Sequence, residues 1–173
     1  MADEVAGRLS GPLLRPPGAL PEAEFLLACT RCDACVEACP YDAIVKAGPG
    51  AGAAANTPVI VPTRMPCYLC DDLPCIPSCA DGALLPIALG RAGVRMGTAV
   101  LHPRACLAVR GEACDICIQC CPFPGEALRA DGRGHPVVSA DRCTGCGICA
   151  QVCPSEPRAL SIRPGGGNQG TTP

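Results

Sequence analysis

Large side chains are scarce in this chain. It has no Trp and only Phe25, Phe123, Tyr41 and Tyr68 as aromatics. Since aromatic and large aliphatic residues supply most buried apolar area, this excludes a conventional core and calls for another filler. Long apolar runs are missing too. The longest candidate, ALLPIALG at 83–90, is short and is broken by Pro86, far from the ~20 residues that span a bilayer. The net charge of -2 leaves no basic excess for a nucleic acid. The N-terminus lacks both an apolar signal core and a twin arginine, so the chain as written is expected in the cytoplasm, or in the periplasm if that terminus is incomplete. With no export signal, a disulfide framework loses its usual setting.

What the chain does have is 17 Cys, 20 Gly and 20 Pro in 173 residues. The cysteines are grouped. Cys29, Cys32, Cys35 and Cys39, followed by Pro40, spell C-x2-C-x2-C-x3-C-P. So do Cys143, Cys146, Cys149 and Cys153, followed by Pro154. Cys67, Cys70, Cys75 and Cys79 read C-x2-C-x4-C-x3-C and are followed by Ala80. Groups starting at 29, 67 and 143 are 38 and then 76 residues apart. The doubled step predicts a further start near 105, and Cys106 supplies it. The third group is then Cys106, Cys114, Cys117 and Cys121, closed by Pro122. Cys120 fits no slot and is expected to be a non-ligand, a small buried apolar residue. A period of this length marks one supersecondary unit copied several times.

The linkers repeat as well. AIVK (43–46) and PVIV (58–61) flank a Gly-rich loop, ALRA (127–130) and PVVS (136–139) flank DGRGH, and ALLPIAL and TAVL (98–101) flank GRAGVRMG. Each is expected to be a hairpin, with ALSI (159–162) as a closing strand. PEAEFLLACT reads as a short helix, with Pro21 at its start and Glu22 and Glu24 in its first turn. The domain expectation is a flexible segment 1–20, a domain of all four cysteine motifs over 21–163 and a disordered tail 164–173. Charge is uneven. Residues 1–82 hold ten acids and five bases, and residues 83–173 six acids and nine bases. Four arginines and no acid lie between Ala83 and Gly111, a stretch that suits either an acidic partner or a solvated surface.

The C-x2-C-x2-C-x3-C-P run is the bacterial ferredoxin signature of a [4Fe–4S] cluster. Three thiolates on a tight loop meet three corners of one cubane. The fourth is expected to start a short helix and to reach a neighbouring cluster, and the proline suits the exit turn. Four such groups predict an α+β fold of tandem bacterial-ferredoxin-like modules, with short hairpins and helices wrapped around four [4Fe–4S] clusters and little regular secondary structure. The sixteen grouped cysteines are the expected ligands. Zinc prefers paired C-x2-C with a wider gap, a thioredoxin-like C-x-x-C needs a βαβ setting, and a Rieske centre needs two His ligands, whereas His102 and His135 read as isolated loop residues. Gly50-Ala51-Gly52-Ala53-Ala54-Ala55 fits a dinucleotide-loop pattern but runs into Asn56-Thr57-Pro58, so it reads as a hairpin loop. No Ser/His/Asp arrangement or carboxylate pair has a catalytic setting, and the chain is expected to be a carrier, not an enzyme.

The stretches RPPGALPEAEFLLACTRCDACVEACPYDAI, PCYLCDDLPCIPSCADGAL, MGTAVLHPRACLAVRGEACDICIQCCP and HPVVSADRCTGCGICAQVCP resemble the ferredoxin-type electron-transfer proteins of the NapG/MauM family. The resemblance covers residues 15–163 or so. It implies electron relay between redox protein partners: in one branch a polytopic membrane iron–sulfur protein that oxidises quinol and a reductase, in the other a dehydrogenase system. The alternative it leaves is a maturation factor for a partner enzyme. Ala80, where a proline is expected, and the absent twin arginine are departures. CYLCDDLPCIPSC also looks like its counterpart in iron–sulfur subunits of molybdenum oxidoreductases. That likeness implies nested pairing, group one with four and two with three, against a sequential alternative.

Overall fold

The computed structural model describes residues 12–165. The helices are short: α1 (Glu22–Ala28), α2 (Ala34–Glu37), α3 (Ile116–Gln119) and α4 (Ile148–Gln151). The strands are β1 (Ile44–Lys46), β2 (Pro58–Ile60), β3 (Gly97–Leu101), β4 (Leu128–Ala130), β5 (Pro136–Val138) and β6 (Leu160–Pro164). α1 begins after Pro21, whose carbonyl accepts the Phe25 amide. Its one buried residue, Phe25, anchors it in the core.

Two of the three expected hairpins form. β1 pairs antiparallel with β2 (Ile44 opposite Ile60) across a 3₁₀ segment that holds the Gly50–Ala55 loop. β4 pairs with β5 (Leu128 opposite Val138). The third does not form. ALLPIAL yields only a bridge between Leu84 and Ala19, because Pro86 cannot donate to a ladder. TAVL lies in β3 and pairs instead with β6, the closing strand, from Gly97 opposite Pro164 to Leu101 opposite Leu160.

These pairings divide the repeats into two modules of one plan. In the second, β3 leads into motif three, the β4–β5 hairpin into motif four, and β6 returns beside β3. In the first, the Ala19–Leu84 bridge takes the place of the outer ladder, and motif one, the β1–β2 hairpin and motif two lie inside it. A closed outer pair brings the two motifs of one module face to face.

The core is small and built largely on sulfur. Cys35, Cys67, Cys75 and Cys146 are buried in one cluster with Phe25, Leu69, Val94 and Ile148, and this cluster spans both modules. Two satellites lie under β3–β6 and under the β1–β2 loop. The expected flexible segment 1–20 is too long. Leu13 to Ala19 are buried, and the Leu14 carbonyl accepts the Ile60 amide. Arg15 is 6% exposed. It donates to both Glu22 carboxylate oxygens at 2.8 and 2.6 Å, to Thr57 Oγ1 at 2.7 Å and to the Pro58 carbonyl at 2.9 Å, and lies 4.5 Å from the Phe25 ring centre. These bonds tie residues 12–20 to α1 and β2. Residues 1–11, and 166–173 of the expected tail, lie outside the described residues. Pro164 belongs to β6, and the Gly165 amide bonds Met96.

Candidate iron–sulfur sites

Three of the four motifs make the same backbone demand. In motif four, Gly145 (φ +73°) and Gly147 (φ +88°) flank Cys146 in left-handed conformation. Motif one puts Arg31 (φ 63°) and Asp33 (φ 68°) at the matching positions around Cys32, and motif two has Leu69 (φ 54°) before Cys70. Non-glycine residues adopt this region at a cost, so its recurrence reflects the loop that the thiols need. Such left-handed turns aim amides inward: the Leu69 N–H donates to the Cys67 thiol and the Ile148 N–H to Cys146. The third cysteine of motifs one, three and four lies within the short helix, and the fourth follows its end. The expectation that the fourth cysteine starts the helix is therefore reversed. Three intervening residues complete the turn and carry the last thiol out to the next site.

The sixteen predicted residues come together in four cavities. The first, about 370 Å³, is lined by Cys29, Cys32, Cys35 and Cys79. The second, about 340 Å³, is lined by Cys39, Cys67, Cys70 and Cys75. The third, about 380 Å³, has Cys121, Cys143, Cys146 and Cys149. The fourth, about 330 Å³, has Cys106, Cys114, Cys117 and Cys153. Each holds three thiols of one motif and the last thiol of its partner motif. Motif one pairs with two and three with four, so the nested pairing implied by motif two's likeness is corrected to sequential. The physical reason is the strand pairing: β6 returns to β3, not to the first module.

Cys106 takes its predicted place despite its long spacer, where the Arg110 amide donates to the Cys106 carbonyl at 3.0 Å. Cys120 lines none of these four cavities, but it is exposed, not buried as expected. It caps the end of α3 with its amide on Ile116, on the helix face where Ile116 is also exposed.

All seventeen thiols are free. Burial, reinforced by neighbouring thiols, pushes the Cys75 thiol up to about 12 and the Cys35 and Cys117 thiols up to about 11. Cys67 is likewise raised to about 12 by burial. Such thiols need a positively charged occupant to exist as thiolates. Among the described residues no three His, Cys, Asp or Glu side chains are drawn together as a single metal ion requires. Each set of four thiols lines a space of its own, which fits a cubane held on four cysteines.

The four cavities form a series. The first and second share motifs one and two, and the third and fourth share motifs three and four. Between the modules, the Cys67 amide donates to the Cys146 carbonyl at 3.0 Å, joining a second-cavity residue to a third-cavity residue. Sequence reasoning missed this seam. It also missed the tyrosines: Tyr41 and Tyr68, both partly exposed with ring centres 4.7 Å apart, line the second cavity.

Residues 27–45 and 134–155 each match the 4Fe-4S binding domain family. The chain is 42% identical over 150 residues to the methylamine utilization ferredoxin-type protein MauM of Methylorubrum extorquens, covering 82% of this chain and 68% of that protein. It is 41% identical over 168 residues to the ferredoxin-type protein NapG of Escherichia coli, covering 91% and 73%. A MauM from Paracoccus denitrificans is 42% identical over 140 residues, covering 76% of this chain and 62% of the relative.

Proposed function

The chain belongs to the NapG/MauM family of ferredoxin-type iron–sulfur proteins, and on that premise we propose that it relays single electrons through four [4Fe–4S] clusters. The four thiols that line each cavity would hold one cubane, and that group would supply one-electron chemistry there. The observation that carries this reading is the series of four near-equal cavities joined across the modules at Cys67 and Cys146. A maturation factor needs a site open to its client; a relay needs sites in sequence.

The protein's own share of the work is positional. The paired loops keep neighbouring sites one short helix apart. Apolar residues such as Phe25 and Leu84 at the first cavity, or Ala99 and Leu128 at the third, limit access of water. Amides on sulfur, such as Ala43 on Cys39 and Ala99 on Cys143, both at 3.4 Å, tune each site.

The partners are redox proteins: a quinol-oxidising membrane iron–sulfur protein as donor, and a reductase or dehydrogenase system as acceptor. No described helix is long and apolar enough to cross a membrane. The test is anaerobic mixing of the oxidised holoprotein with quinol-reduced membranes that contain the donor, followed by cluster absorbance. Catalytic bleaching, about four electrons per chain, supports the relay. No electron uptake from any quinol-reduced membrane favours the maturation role.

A further inference from the structure

The four motifs are near copies, so where they differ is informative about direction. This inference rests on the four-site relay above. Two residues after its last cysteine, each motif carries a different side chain: Tyr41, Asp81, Phe123 and Ser155.

Ser155 is buried, and its Oγ lies 3.0 Å from Cys153 Sγ. That oxygen accepts the Ala159 amide at 3.1 Å. Its own proton is then directed at the sulfur, which carries none when it is a ligand. The Ala159 amide also reaches Cys153 Sγ, at 3.3 Å. Arg158 adds charge. Its Nη1 donates to the carbonyls of Ala150 at 2.8 Å, Gln151, and Cys153 at 3.3 Å, holding a guanidinium against the backbone that bears the fourth-site ligand.

At the first site the same position of the repeat carries a negative charge in place of the hydroxyl. Asp81 lines that cavity beside Cys79 and accepts the Thr30 hydroxyl at 2.5 Å. Thr30 matches Thr144 in motif four, whose hydroxyl serves Cys146 at the third site. A hydroxyl that tunes sulfur at the third site is thus taken up by a carboxylate at the first.

Reduction adds negative charge to a cluster. Hydrogen bonds to its sulfurs and a nearby cation favour the reduced form; a nearby carboxylate disfavours it. We propose that the relay is graded: Ser155 and Arg158 make the fourth site its high-potential end, Asp81 makes the first site its low-potential end, and electrons run from the first to the fourth. Each transfer oxidises the site it leaves and reduces the site it enters by one electron. The electrons come from the membrane iron–sulfur donor at the first site, where Cys32 is exposed, and pass to a higher-potential protein acceptor at the fourth. Ser155 and Arg158 act through Cys153 and are positioning residues.

The experiment is an anaerobic EPR-monitored redox titration of the holoprotein with Ser155→Ala, Ser155→Thr and Asp81→Asn. The grading predicts that Ser155→Ala lowers the highest midpoint alone, with iron content unchanged, and that Ser155→Thr restores it. Asp81→Asn raises the lowest midpoint alone. The inference is overturned if Ser155→Ala shifts no midpoint, or shifts one other than the highest. Should Ser155→Ala lose iron, Asp81→Asn decides: a lowest midpoint that stays in place refutes the grading. Wild-type protein with far fewer than about 16 Fe refutes the relay itself, which separates the two failures.

Discussion

Replacing Cys153 by Ala separates the two ways of pairing four motifs, because its thiol is the one motif four lends to another site. In the fourth cavity it stands with Cys106, Cys114 and Cys117. Losing one of four ligands there releases one cubane, so iron falls from about 16 to about 12 per chain. A single variant does not say which cluster was lost, but a pair does. Two substitutions in one cavity remove the same cubane, whereas two in different cavities remove two. Cys153→Ala with Cys114→Ala should therefore leave about 12 Fe, and Cys153→Ala with Cys32→Ala about 8. Nested pairing, in which Cys153 joins Cys29, Cys32 and Cys35, predicts the opposite order. Iron and labile sulfide on anaerobically purified variants are the assay. The reasoning is refuted if the Cys153 and Cys32 pair retains as much iron as Cys153→Ala alone.

Cys120→Ala should leave iron unchanged, while Cys121→Ala lowers it by about four per chain, measured in the same way. Gly145→Ala places a Cβ 2.4 Å from the Gly97 nitrogen at a φ of +73°. The left-handed conformation alone costs about 1–3 kcal/mol, so a lower unfolding midpoint and a depleted third site are expected in denaturant titrations followed by visible absorbance. Arg15→Ala leaves Thr57 and the Pro58 carbonyl without their buried donor and should cost about 2–3 kcal/mol in the same titration. The thiols of Cys67 and Cys75, ordinarily at 9.0 and raised to about 12, are protonated in the metal-free fold. A raised pKa favours the neutral thiol, so this contribution to metal-free stability is whole below pH 9 and lost as pH climbs towards 12. Cluster loading must expel those protons, so reconstitution should release about one proton per ligand thiol and strengthen as pH rises, read with an indicator dye in weak buffer.

The grouping of the sixteen cysteines was legible because spacing is local: three-residue steps let one tight loop bring three thiols together. Cys106 was legible because the repeat's own step pointed to it, and Cys121 because Pro122 follows it. The pairing was not. It depends on β3 meeting β6 some 60 residues later, which no spacing within a motif encodes, and motif two's resemblance pointed the other way. The burial expected of Cys120 failed because it lies a quarter-turn of α3 away from Cys121, on the outer face with Ile116. Arg15 gave no signal either, since its partners Glu22, Thr57 and Pro58 are joined only by the fold. Of the four arginines between 83 and 111, Arg91 meets Asp71 at 3.2 Å and Arg110 meets Glu112 at 3.5 Å, so acids elsewhere in the chain answer part of that basic run.

The central claim is that four cubanes occupy the four cavities. Anaerobic purification with iron, labile sulfide and EPR spin quantification tests it most directly. The account predicts about 16 Fe and 16 sulfide per chain, with spins from interacting reduced clusters. About 8 Fe or fewer after full reconstitution, or stoichiometric zinc in place of iron, would contradict it.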